Sequence, residues 1–146
     1  MRFLPILLLS ACSGTGESLD ADGCASLQDG PFTTITAGAA KDATAPAITT
    51  EGAFTVTLPA TGVGYVSFES LDDTEYIAFA DRTLTIAAFT PTGTEIMASA
   101  RATSVSACSI VHRRDVIELQ VGMFYFALGP DAGGPIRIVL RPYNPD

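Results

Sequence analysis

The sequence contains no Trp, a single His and few basic residues, with 8 Lys and Arg against 16 Asp and Glu. A single His excludes the His-Glu-x-x-His zinc motif, which needs two. An acidic chain of formal charge −8 without a basic run is a poor candidate for binding nucleic acid. Sandwiches that bind carbohydrate usually present aromatic platforms, so the lack of Trp leaves only single Tyr residues for that role.

Nucleotide, phosphate and hydrolase motifs are also missing. The sequence has no Gly-x-Ser-x-Gly elbow, no Gly-x-Gly-x-x-Gly loop and no Gly-Lys-Ser/Thr phosphate loop. A catalytic triad would have to use His112 and Asp115, but neighbours on one strand do not converge as triad members do. We therefore predict that the protein is not an enzyme and uses no cofactor.

The first twelve residues have the features of a secretory leader. Met1-Arg2 precedes an apolar run over residues 3–9, which ends in Leu9-Ser10-Ala11-Cys12. One base, a short apolar stretch and small residues before a cleavage point are what a leader needs, and the run is far shorter than the ~20 residues that span a bilayer. The string Leu9-Ser10-Ala11-Cys12 resembles the lipobox of bacterial lipoproteins.

This resemblance implies that residues 1–11 are removed and that Cys12 carries a diacylglycerol on its thiol and an acyl chain on its freed amine. Several chains anchor firmly, because each buried methylene contributes roughly 0.8 kcal/mol. Ser13 is not the Asp that retains Gram-negative lipoproteins in the inner membrane, so the expected location is the bacterial cell envelope, with the lipid in the outer membrane. We expect residues 12–30 to form the lipidated N-terminus and a flexible tether.

The remaining cysteines, Cys24 and Cys108, are an even pair in an oxidising compartment once Cys12 carries lipid. We predict a disulfide between them. A metal site built on two cysteines is the alternative, but Cys24 has no second Cys or His at ligand spacing.

From residue 31 onward the sequence predicts many short strands. Runs rich in Val, Ile, Thr, Phe and Tyr are separated by Gly and Pro, and residues 54–58 alternate strictly between apolar and Thr. No segment shows a sustained helical period. The predicted fold class is all-β: a single antiparallel β-sandwich or jelly-roll-like domain over residues 31–146, after the signal peptide and tether.

The closing strands carry a second resemblance. Residues 119–126 and 136–140 follow the order apolar strand, Gly, aromatic strand, turn and last strand, which is similar to the end of bacterial pre-peptidase C-terminal-like domains. Residues 65–68 and 84–86 fit earlier strands of that family. The resemblance covers about residues 54–142 and implies an accessory β-sandwich, folded in the envelope or outside the cell, without a catalytic residue.

The densest acidic group is formed by Asp72, Asp73 and Glu75. Carboxylates hold Ca²⁺ in extracellular modules, so these residues are candidate metal ligands. Their spacing departs from the Asp-x-Asp-x-Asp-Gly loop, and acidic residues are ordinary in hairpin turns. Surface charge without a ligand is therefore the alternative.

The basic residues near the C-terminus are candidates for an anion site. Arg137 and Arg141 share a face of one strand, and a neighbouring strand that holds His112 would let guanidinium groups grip an anion in bidentate fashion. Pairing with nearby carboxylates is the alternative. The predicted anion-binding residues are His112, Arg114, Arg137 and Arg141.

Two functions fit these observations best. The first is a non-catalytic binding or interaction module, held on the membrane by lipid, that contacts an envelope protein or a glycan. The second is a structural or protective surface lipoprotein without a specific ligand. A calcium- or anion-binding module is a further alternative. The Tyr residues that could each stack singly on a glycan are Tyr65, Tyr76, Tyr125 and Tyr143.

Overall fold

The computed structural model describes residues 15–60, 62–131 and 134–143, which form a β-sandwich with one helix. This confirms the predicted fold class. The elements in chain order are α1 (Thr15–Asp29), β1 (Phe32–Thr36), β2 (Ala53–Thr57), β3 (Gly64–Ser70), β4 (Thr74–Ala80), β5 (Ile86–Phe89), β6 (Glu95–Ile96), β7 (Ala100–Ala102), β8 (Arg113–Leu119), β9 (Gly122–Leu128) and β10 (Ile136–Tyr143).

Two sheets form the sandwich. Sheet A has the strand order β1-β2-β10-β4-β8-β7, and sheet B has the order β3-β9-β5-β6. Neighbouring strands are antiparallel except β1 and β2, which run parallel. The chain crosses between the sheets after β2, β3, β4, β6, β8 and β9. The crossings after β3 and β8 lie side by side, because Thr74 is paired with Leu119 and Ser70 with Gly122.

The main core lies between the two sheets. On β10 the side chains of Ile136, Ile138 and Leu140 point into this core, as the sequence predicts, while Arg137 and Arg141 lie on the opposite face. Phe126 and Val66 of sheet B are also fully enclosed. Alternation of apolar and polar residues therefore sets the register of the sandwich.

A second core lies on the outer face of sheet A, beneath α1. Cys24 and Leu27 of the helix pack there against apolar side chains of the sheet and of the segment before β8. The expected flexible tether is therefore wrong from Thr15 onward, because residues 15–29 are helical and Cys24 and Leu27 are buried against sheet A. The sheet side chains of this second core are Ala53, Ile77, Phe79, Val116 and Val139, and Val111 comes from the segment before β8.

The helix ends at a glycine. Gly30 adopts a left-handed φ of 66° and its N–H donates to Ser26 O at 3.0 Å, which satisfies a carbonyl of the last helical turn. Pro31 follows and cannot continue the helix. These local signals terminate α1, while the sheet beneath it supplies the apolar contacts that keep it helical.

Gly23 lets the helix approach sheet A closely. A methyl group at this position would lie 2.5 Å from Cε2 of Phe79, whose ring is fully buried. We expect Gly23→Ala to destabilise the protein by about 1–3 kcal/mol through overpacking, although Ala is the better helix former by about 1 kcal/mol. Thermal unfolding of the full-length protein checks this. The control is the reverse change at an exposed helical site, Ala25→Gly, which loses only helix propensity; a stabilising Gly23→Ala would contradict the packing.

Strand boundaries around β8 differ from the sequence prediction. The apolar residues within 110–112 predict a short strand there, but β8 begins at Arg113, and His112 donates its backbone N–H to Ala80 O at 2.9 Å. The segment of small residues from 99 to 107 contains β7, which pairs with β8. Pairing with a neighbour, rather than local apolar pattern, decides both boundaries.

Candidate functional site

The sequence predicts a disulfide between Cys24 and Cys108 and a lipid on Cys12, and the described residues include only the first of these sites. Cys24 and Cys108 are bonded, as predicted, and the bond joins the buried face of α1 to the segment before β8. Cys12, the predicted lipid site, lies outside the described residues. Two residues separate it from Thr15, so the covalent chain alone keeps it within about 11 Å of the start of α1.

The predicted anion site does not form. Arg114 lies on β8 and Arg141 on β10, and β4 runs between these strands. His112 is exposed at the start of β8, and the guanidinium of Arg137 lies over the Phe32 ring, 4.5 Å from its centroid. The four candidates therefore do not converge on one ligand.

Arg114 and Arg141 hold the helix instead of an anion. Arg114 Nε donates to Asp20 Oδ1 at 2.7 Å, and Arg141 Nε donates to Asp22 Oδ2 at 2.8 Å. Arg141 also donates to Ser26 Oγ at 2.8 Å and to Thr50 O at 2.7 Å. Arg114 and Arg141 therefore pair with carboxylates, as the alternative expected. Their partners lie on α1, which the sequence did not predict to be a helix.

Asp115, which a catalytic triad would have to pair with His112, has a different role in the structure. Asp115 is fully buried, and its carboxylate is bound by Arg113, with Nε at 2.6 Å from Oδ1 and Nη2 at 3.2 Å from Oδ2. Arg101 of β7 approaches the same carboxylate, with Nε at 3.4 Å from Oδ2. This Arg-Asp-Arg triad neutralises the buried Asp115 and joins β7 to β8.

The acidic candidates for calcium do not assemble into a metal site. The carboxylate Oδ1 of Asp73 accepts the backbone N–H of Val121 at 2.7 Å, which ties the β3–β4 connection to the β8–β9 turn. Asp72 is exposed, and Glu75 lies on β4 opposite Glu118. Within residues 15–60, 62–131 and 134–143, no group of three or more His, Cys, Asp or Glu side chains is placed to hold a metal ion.

The four Tyr residues are divided between core and surface. Tyr76 is buried with its hydroxyl 2.9 Å from Ser70 Oγ, and Tyr143 packs against the second core. Tyr65 and Tyr125 are half-buried on the outer face of sheet B. The Nζ of Lys41 lies over Tyr65, 5.4 Å from the ring centroid.

The Lys41 side chain covers part of this outer face. Its Nζ is also 4.3 Å from the centroid of the Phe89 ring. The neighbouring Asp42 accepts hydrogen bonds from the N–H and hydroxyl of Thr44, which lower the pKa of the Asp42 carboxyl. The loop is thereby fixed with its ammonium over the aromatic rings.

Exposed large apolar side chains gather at one end of the sandwich, where the β3–β4 connection and the β8–β9 turn lie side by side. Leu71 is 72% exposed in the first and Val121 is 63% exposed in the second. Met123, the second residue of β9, lies beside Glu69 of β3, and Met97 follows β6. We call this region, which holds the large exposed apolar side chains of the described chain, the acidic end. Its carboxylates are Glu51, Glu69, Asp72, Asp73, Glu75 and Glu118.

Two grooves cut into the acidic end. The larger has a volume of about 440 Å³, with Leu71 and Met123 among its walls and Glu51, Glu69 and Asp72 at its rim. The second, of about 400 Å³, is lined by Met97 and Glu118 among others. Neither groove is lined by a described Lys or Arg.

The sequence contains a weak signal for this surface. Leu71 is an apolar residue inside an acidic turn, and Val121 precedes a turn glycine, so neither belongs to an alternating strand pattern. A single exposed apolar residue is common in proteins and does not by itself predict a binding surface. Their joint position depends on the pairing of β3 with β9 and β4 with β8, which the sequence does not reveal.

A scan against protein-family models and a search of curated proteins find no match to this chain. Among the described residues, no helix has the length and apolar character required to cross a bilayer.

Proposed function

We propose that the protein is a non-catalytic interaction module, held on the bacterial outer membrane by lipid on Cys12, that binds another envelope component through its acidic end. The observation that carries the proposal is the gathering of Leu71, Val121 and Met123 in one exposed region. Exposed apolar groups rimmed by polar ones mark interaction surfaces. The lipobox string at residues 9–12 supports the location.

The arrangement of side chains supports a binding role over a catalytic one. The carboxylate of Asp115 is paired with Arg101 and Arg113 rather than with His112, which is exposed. Tyr76 is enclosed in the core. None of these groups is paired as an activated nucleophile and base would be. The alternative of a protective lipoprotein without a ligand gives no reason for grouping apolar side chains at one end.

Capture from envelope extract separates these functions. Full-length protein, purified in nonionic detergent and immobilised, is expected to retain a discrete envelope component, and Leu71→Ser/Val121→Ser is expected to lose it. Tyr125→Leu is the matched control, because it alters the outer face of sheet B and leaves the acidic end intact. Equal retention by wild type and by a lipid-anchored control protein would favour the protective function. If a glycan is retained by the wild type and lost only in Tyr125→Leu, the binding site lies on the outer face of sheet B.

The anchor has its own test. Cys12→Ser is expected to move the protein from the membrane to the soluble fraction or to leave an uncleaved precursor, because a hydroxyl does not replace the thiol in the acylation. Mass spectrometry of the wild-type membrane form should show an acylated N-terminal Cys12. Ser13→Ala serves as the control and should remain in the membrane. An unmodified N-terminus at another residue would contradict the lipid anchor.

A further inference from the structure

The larger groove of the acidic end combines an apolar floor with a negative rim. Its floor contains Phe68, which is 3% exposed, and Tyr76, which is 4% exposed, while Leu71 and Met123 form walls. A volume of about 440 Å³ lies within the range of roughly 300–1,000 Å³ that ligand pockets occupy. The groove therefore has room for a large apolar side chain.

The negative charge at this end is not compensated locally. Glu75 of β4 stands directly opposite Glu118 of β8, and like charges at opposed positions destabilise a sheet. Glu51, Glu69 and Asp72 add exposed carboxylates at the rim of the larger groove. The Glu75–Glu118 pair lies outside the lining of the larger groove, and a cation at the groove would be attracted to Glu51, Glu69 and Asp72.

The chain's own cations are engaged elsewhere. Each described Lys or Arg side chain has a carboxylate or an aromatic ring against it. Within residues 15–60, 62–131 and 134–143, a second copy of this chain therefore offers no unengaged cation. The contacts are Lys41 with Tyr65 and Phe89, Arg82 with Asp131, Arg101 and Arg113 with Asp115, Arg114 with Asp20, Arg137 with Phe32, and Arg141 with Asp22.

The apolar tip beside the groove is fixed before any partner binds. Ser70, fully buried, donates its hydroxyl to Asp72 O at 2.8 Å, and Asp73 Oδ1 accepts the Val121 N–H at 2.7 Å. These bonds position Leu71 between them. A preorganised apolar group loses little entropy on association and suits the centre of an interface.

We propose that the larger groove of the acidic end binds a protein segment in which a large apolar side chain is flanked by Lys or Arg. The inference rests on the proposed interaction function and names its partner chemistry. The apolar side chain would enter between Leu71 and Met123, and the flanking cations would face Glu51, Glu69 and Asp72. A glycan fits less well, because the rings of Phe68 and Tyr76 are buried and present no open face for stacking.

A defined peptide tests this proposal. The probe is a fluorescent synthetic peptide with one Leu flanked by Lys and Ser residues, titrated into the full-length protein in nonionic detergent and followed by anisotropy. We expect saturable binding that weakens as salt rises, because exposed charges are screened. Replacing Lys by Glu, or Leu by Ser, in the peptide should abolish it.

Charge-matched variants locate the site. Glu69→Gln/Asp72→Asn should weaken peptide binding by about tenfold, a change of about 1.4 kcal/mol. Asp29→Asn/Glu95→Gln removes the same charge at exposed positions outside the lining of this groove and should change the affinity by less than about twofold. Both variants should unfold at or above the wild-type temperature, since neither removes a buried group. Equal weakening by both pairs, or no binding by wild type, would overturn the proposal.

Failure of this partner chemistry is distinguishable from failure of the interaction function. If the envelope capture experiment still depends on Leu71 and Val121 while Glu69→Gln/Asp72→Asn captures normally, the interaction function stands and the cationic partner is wrong. If a second copy is the occupant, sedimentation of the protein alone will show a dimer that Leu71→Ser dissociates, which also overturns the proposal.

Discussion

Removal of the disulfide, as Cys24→Ala/Cys108→Ala, is expected to lower the free energy of unfolding by about 4–5 kcal/mol in the chain-entropy model, an upper value for a bond with a sequence separation of 84. The unfolding midpoint should fall by roughly 10 °C or more. The sandwich should still fold, because the core between the sheets does not include either cysteine.

The loss should be concentrated in the helix. Cys24 packs with Leu27 against Phe79, and the bond fixes that contact to the segment before β8. Hydrogen exchange should therefore rise in α1 more than in β4 or β10. Wild-type protein treated with reductant should reproduce the double variant. A midpoint that is the same with and without reductant, or α1 amides as protected as before, would show that the bond adds nothing to the fold.

Asp115→Ala is expected to cost about 3–5 kcal/mol, since it leaves the guanidinium of Arg113 without its buried partner. The side chain of Asp115 is 0% exposed and that of Arg113 is 15% exposed, so water replaces the lost contact poorly. Chemical denaturation of the full-length variant gives the free energy of unfolding directly.

Arg101 supplies the control within the same triad. Its side chain is 40% exposed, so Arg101→Gln removes a solvated partner and should cost no more than about 1 kcal/mol. Asp115→Leu/Arg113→Met removes both buried charges together and should regain much of the stability lost in Asp115→Ala. If Asp115→Ala is as stable as Arg101→Gln, the buried charge is not balanced in the way the distances indicate.

The sandwich follows from local pattern, and the helix does not. Alternation along residues 136–141 predicts that Ile136, Ile138 and Leu140 face inward, and the structure confirms it. The helix has glycines and several acids among its residues, and its apolar side chains are too sparse to form a stripe. Its stability comes from the apolar contacts with sheet A, from Arg114 and Arg141, and from the disulfide, all of which involve residues distant in sequence that a local pattern does not reveal.

Only part of the candidate site could be predicted from the sequence, because local patterns reveal its residues but not how they come together. The acidic turn at Asp72 and Asp73 stands out in the sequence, and its carboxylates do lie at the acidic end. Their association with exposed Leu71 and Val121 requires the crossing after β3 to meet the crossing after β8. Pairings between strands that are far apart along the chain set this proximity, and residue type alone carries no record of them.

The disulfide also determines how the domain transmits mechanical load. Tension between an anchor upstream of Thr15 and a partner at the acidic end enters through the first turns of α1 and reaches Cys24. From there the load divides between the chain beyond Cys24 and the covalent bond to Cys108, because the β3–β4 connection lies between the two cysteines. Thr15 to Gly23 can be drawn out before the bond is loaded, once Asp20 and Asp22 leave Arg114 and Arg141. The bond thus limits the length of helix that tension can unravel to the residues before Cys24.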